Sequence, residues 1–151
     1  MQKLGEKMKK ELKSFCYLFY LLAMVDGIEA IIFLYVCCTE KVLGLTALAN
    51  VSTTRLKVTT ILCAIFCIIT CLLKMYLGNK GIEELKGNYK GTSHLKLASI
   101  LGVISIVGSV ISIVAAIQGD ASWFECVGEA ATVAVLFMYR SYCKTLLENK
   151  K

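Results

Sequence analysis

The chain has 151 residues, 57% of them hydrophobic, and carries a formal charge of +6 at neutral pH. An ordinary soluble domain is about 45–50% apolar. Here the excess is gathered into four long runs, which excludes such a domain and leaves an all-α integral membrane protein, a single membrane domain over 1–151. A positive balance can point to nucleic acid as a partner, but here the bases flank the apolar runs and build no aromatic-studded face, which speaks against it.

Residues 1–13 are basic with scattered apolar positions, a composition that lies on anionic headgroups at about 1 kcal/mol per base. The apolar run that follows is too long for a signal peptide and lacks a small-residue cleavage pattern. It reads as a retained first span, about 14–38. At 1.5 Å per residue it covers a hydrocarbon core of about 30 Å with some tilt, with Phe15, Tyr17 and Tyr20 at one interface and Tyr35 at the other. Thr39–Lys57 is the longest outer connection, and its apolar middle, Val42–Ala49, lies in the interface or extends the first helix. A second span covers about 58–77, with Lys74 near its end sending its ammonium along its own stem to the headgroups. Gly78–Lys96, with several lysines and the only histidine, His94, reads as a solvated loop with a helical turn at Ile82–Leu85. The third span is about 97–117 and the fourth about 123–143, separated by a tight turn, and 144–151 is a basic tail.

The bases set the orientation. Five lie in the N-terminal segment (Lys3, Lys7, Lys9, Lys10, Lys13), five around the middle loop (Lys74, Lys80, Lys86, Lys90, Lys96) and four at the C-terminal end (Arg140, Lys144, Lys150, Lys151), against Lys41, Arg55 and Lys57 on the other side. Positive charge collects on the cytoplasmic face of a membrane. The expected architecture is therefore a four-transmembrane-helix bundle with N- and C-termini cytoplasmic, multi-pass in the plasma membrane.

The first span carries two carboxyl groups near its middle, where a charge costs between about 2.5 and well over 10 kcal/mol. Asp26 and Glu29 share a helix face, as do Glu125 and Glu129 on the fourth span. The topology puts Glu29 and Glu129 at depths that differ by about one turn, so the four acids can approach one another in the outer half of the bundle if the first and fourth helices touch. They would then hold protons in place of charge or a bound cation. The plain alternative is interhelical hydrogen bonding with Ser105, Ser109, Thr132 or water, and a third reading is contact with a partner subunit.

On the third span Ala98, Gly102, Ser105, Ser109, Ser112 and Ala116 recur in steps of four and three, a stripe of small residues that lets helix backbones approach closely. Cys63, Cys67 and Cys71 form a row on the second span, but no histidine lies in any span to complete a ligand set, and no metal centre is expected. Cys37, Cys38 and Cys126 all fall towards the outer side, where a disulfide from Cys37 or Cys38 to Cys126 would tie the first helix to the fourth. No Gly-rich phosphate loop, nucleophile elbow or His-containing metal motif is present, so a redox or hydrolytic enzyme, a distant third reading, would need the membrane carboxylates alone.

Two functions stand ahead of that one. The first is an accessory or structural subunit acting through helix packing, with the lipid bilayer, a second copy or another membrane protein as partner. The alternative is a proton- or cation-linked transporter or channel using Asp26, Glu29, Glu125 and Glu129, whose only ligand would be a cation at that cluster.

Overall fold

The computed structural model describes residues 2–39, 53–87, 91–118 and 123–148, without the side chains of residues 2–5, 53–56, 112, 115, 116, 118, 123–126 and 147. The described residues form four helices: α1 (Gln2–Thr39), α2 (Thr53–Leu85), α3 (Ser93–Gln118) and α4 (Trp123–Glu148). Among them there is no strand. Among the described residues, three stretches, Glu6–Thr39, Lys57–Leu85 and Ser93–Ile111, are long and apolar enough to cross a membrane.

The helices run on past the apolar runs. α1 already starts in the lysine-rich segment and α2 continues through Asn79-Lys80-Gly81-Ile82-Glu83-Glu84. Lys, Glu, Met and Leu are good helix formers whatever their polarity, so hydropathy marks where the hydrocarbon is crossed and not where the helix ends. The stretch read as a solvated loop is thus helical on both sides. α2 ends where Gly87 takes a φ of 77° and its N–H bonds back to the Glu84 carbonyl at 2.9 Å, a left-handed cap that glycine adopts without steric cost. α3 starts after Thr92, whose carbonyl accepts from the N–H groups of Leu95 and Lys96 at 3.1 and 3.4 Å.

Burial along α1 follows Leu12, Cys16, Phe19, Ala23, Asp26 and Ala30, in steps of four and three. On α2 the same rhythm runs through Thr60, Ala64 and Cys67, then the half-buried Cys71 and Lys74, then Gly78, Gly81 and Glu84. These are buried seams with the three-and-four spacing of one helix face, made largely of small residues, as membrane helices favour. The bulky aliphatics point the other way: Ala30 is 4% exposed and its neighbour Ile31 67%. A water-soluble bundle would bury the larger side chain, because burial from water is worth about 25 cal/mol per Å² of apolar surface.

The chain divides into two compact units, Met1–Leu18 with Leu77–Lys151, and Phe19–Tyr76. In the first, α3 and α4 pack along each other, with Ala98 and Leu101 buried on α3 and Thr132, Val135, Leu136, Tyr139, Cys143 and Leu146 buried along one face of α4. The second holds the C-terminal part of α1 and the first part of α2, and its buried residues include Phe19, Ala23, Ala30, Val36, Ala64 and Cys67.

Candidate functional site

Within the second unit the α1 and α2 seams meet at a charged pair. Lys74 Nζ donates to Asp26 Oδ1 at 2.7 Å, and the two side chains are only 12% and 11% exposed. This replaces the expectation that Lys74 reaches the headgroups. At that distance the attraction is several times its value in water, and it offsets much of the cost of holding Asp26 away from solvent. The second carboxylate oxygen, Asp26 Oδ2, is buried and accepts no hydrogen bond.

Glu29 stands apart from its neighbour. A separation of three residues rotates it about 60° away from Asp26, enough to move it out of the seam, and it is exposed. Cys67 Sγ lies 3.9 Å from Glu29 Oε2, a weak thiol donor contact. Of the other two acids, Glu129 belongs to the first unit, where its carboxylate overlies α3: a Cβ built on Gly108 would stand 3.5 Å from its Oε2. Glu125 is on α4, and its side chain lies outside the described residues.

The first unit contains a polar cluster that no sequence pattern singled out. His94 and Glu84 are both fully enclosed, with His94 Nε2 2.9 Å from Glu84 Oε2. His94 is therefore not a solvated loop residue. It opens α3, and together with Ala98 and Leu101, four and seven residues on, it forms one buried face. Cys143 from α4 joins them, so that one donor atom from each of Glu84, His94 and Cys143 lies within 4.8 Å of the others.

Tyr139 walls this cluster. Its ring stands edge-on to His94 at 6.0 Å between centroids, and its hydroxyl donates to the Leu77 carbonyl at 3.0 Å. Gly81 leaves room on α2 for Cys16 Sγ and the edge of the Tyr139 ring. Tyr139→Phe should keep the ring and lose that bond, lowering stability by about 0.5–1.5 kcal/mol in reversible unfolding in mixed micelles. An unchanged unfolding curve would show that the hydroxyl does not help to fix the ring.

Of the small-residue stripe on α3, Ala98 and Gly102 are buried and line a shallow recess with Leu136, Phe137 and Arg140 of α4. Ser105 and Ser109 are half-buried, and Ser109 Oγ donates to the Ser105 carbonyl at 2.8 Å. Thr132 likewise donates to its own helix, at the Gly128 carbonyl, 3.0 Å away. Ser112 and Ala116 continue the stripe on the α3 backbone, with their side chains outside the described residues. Cys37 and Cys38 are free thiols, and the side chain of Cys126, their expected partner, lies outside the described residues.

No protein-family model matches this chain, and neither a curated protein nor a solved structure matches it. The class comes from the fold alone. Small and polar residues line the seams, bulky aliphatics cover the outside, and three helices are long and apolar enough to cross a membrane, which is the pattern of a helical membrane protein.

Proposed function

We propose that the chain is a small four-span protein of the plasma membrane, with both termini cytoplasmic, that works as an accessory or structural subunit by packing its helices against a partner membrane protein or a second copy. One observation carries the reading: Ser105 and Ser109 remain half-buried beside α4, so the stripe that brings α3 and α4 together keeps a small-residue flank for another helix. In lipid such a flank is what drives association, because apolar surface alone gives no preference for protein over acyl chain. α4 is read as the fourth span, and its length supports this: Trp123–Glu148 has 26 residues, more than the roughly 20 that a bilayer crossing needs. The excess of bases beside the termini supports the orientation.

The test is crosslinking of the full chain in native membranes. Replacing Ser105 and Ser109 together with leucine should abolish the crosslinked species or reduce it at least several-fold. Unchanged oligomer size and unchanged partner recovery would remove the accessory reading.

Proton- or cation-linked transport is the second reading, with Asp26, Glu29, Glu125 and Glu129 as the ion-binding groups. It is favoured by the enclosed Asp26 Oδ2, an acceptor without a hydrogen bond beside an ammonium in a candidate span, since ionisable groups in that setting commonly mark ion or proton pathways. In proteoliposomes it requires a proton or cation flux above that of empty vesicles, falling at least tenfold in Glu29→Gln and Glu129→Gln. Absence of flux, or flux that survives both substitutions, sinks it.

A further inference from the structure

We propose that Glu84, His94 and Cys143 bind a divalent cation of the zinc class, which clamps α2, α3 and α4 together inside the first unit. The three donors are a carboxylate oxygen, an imidazole nitrogen and a thiol sulfur, each on a different helix and each buried, within 4.8 Å of one another. Zinc takes this mixture of N, O and S ligands at about 2.0–2.3 Å in tetrahedral geometry, which separates ligand atoms by about 3.3–3.8 Å. The Glu84–His94 distance of 2.9 Å is a little shorter than that separation and the donors span no more than 4.8 Å, so seating an ion takes movements of about 1 Å or less, within reach of side-chain rotation.

Charge favours the same ion. Coordination requires the thiolate, so Cys143 releases one proton to solvent for each ion bound. The Glu84 carboxylate and the Cys143 thiolate then carry two negative charges, His94 binds as the neutral imidazole, and a dication brings the set to zero. A neutral set avoids the desolvation cost that uncompensated charges meet in a buried site. Hard cations such as magnesium prefer all-oxygen shells and are disfavoured by the thiolate and the imidazole.

The surroundings provide what a ligand histidine needs, a fixed ring orientation. The edge of Tyr139 lies against His94, and Tyr139 is in turn held by the Leu77 carbonyl. α2 ends in a left-handed turn at Gly87, three residues after Glu84, and His94, ten residues beyond Glu84 in the chain, lies 2.9 Å from it. This inference rests on residues other than those of the proposed function and stands independently of it.

The experiment uses the purified full chain in detergent, stripped with chelator and titrated with Zn²⁺ alone and with Co²⁺ alone. One ion per chain should remain after dialysis, and the Co²⁺ form should show a thiolate-to-cobalt charge-transfer band. Cys143→Ser should abolish that band. His94→Asn and Glu84→Gln should each weaken Zn²⁺ binding by about 100-fold or more, since even partners outside the ligand set commonly contribute 10–100-fold. Cys38→Ser, at an exposed thiol, should change neither readout.

Because a substitution in a buried cluster can prevent folding, a second measurement uses the unaltered chain. Zn²⁺ should slow alkylation of Cys143, followed by peptide mass spectrometry in mild denaturant, at least tenfold, and chelator should restore the rate. A chain that retains no Zn²⁺, a cobalt band that persists in Cys143→Ser, or Cys143 alkylation indifferent to Zn²⁺ would overturn the proposal.

Discussion

Replacing Lys74 with methionine should destabilise the protein by about 3–5 kcal/mol, the cost of leaving one member of a buried ion pair without its partner. The pair is short, 2.7 Å, and both side chains are about nine-tenths enclosed, so little solvent is at hand to take over from the ammonium. The reciprocal change, Asp26→Leu, should cost less, about 1–3 kcal/mol. A lysine stem is long enough to carry its charge towards the interface once released, whereas an aspartate is tied within one methylene of the backbone. The double replacement by Leu and Met should lie close to the unaltered protein, because exchanging a buried pair for apolar residues of similar volume is often neutral or stabilising. Unfolding of the four proteins in mixed micelles gives the coupling energy directly. Strict additivity would mean that the two charges do not depend on each other.

That same pair shows how far the fold could be read from the residues. Helices and candidate spans follow from run length and composition, so the all-helical character and the apolar crossings on α1, α2 and α3 were legible. Residue partners were less so. Asp26 and Glu29 look equivalent when treated as two acids on one helix face. Tracing Leu12, Cys16, Phe19, Ala23, Asp26 and Ala30 as a seam separates them, because only Asp26 falls on it.

The matching seam on α2 carries Lys74 in register between Cys71 and Gly78. A lysine near the end of an apolar run is easily assigned to the headgroups, and only the opposing helix reveals its partner. His94 was misread for a related reason: polarity was taken to mean solvent. The steps of three and four continue beyond the apolar run to Gly81 and Glu84, and His94 opens a buried face with Ala98 and Leu101. Both signals are periodic and hydropathy averages them away. Cys143 could not have been placed beside them without knowing how α4 packs.

Gly81→Ala should lower stability by about 1–3 kcal/mol and Tm by about 2–12 °C, against the ordinary preference of helices for alanine. At an unobstructed helix position the exchange gains up to about 1 kcal/mol. At Gly81 a new Cβ would overlap Cys16 Sγ and come within 2.8 Å of Tyr139 Cε2 and 3.2 Å of its hydroxyl. Neither neighbour is a flexible chain end. Cys16 is fully buried with a single rotatable side-chain bond, and Tyr139 is fully buried with its hydroxyl on the Leu77 carbonyl and its ring edge on His94. Relief has to come from helix displacement, so the packing loss exceeds the propensity gain. Two comparisons separate these terms. Gly27→Ala, where nothing lies within 4 Å of the new Cβ, should be neutral or slightly stabilising. Cys16→Ala placed on the Gly81→Ala background should recover part of the loss by removing the nearest obstructing atom. If Gly81→Ala proves as stable as Gly27→Ala, α1 and α4 do not press against α2 at this point, and the enclosure of Glu84 and His94 loses the wall that Cys16 and Tyr139 supply.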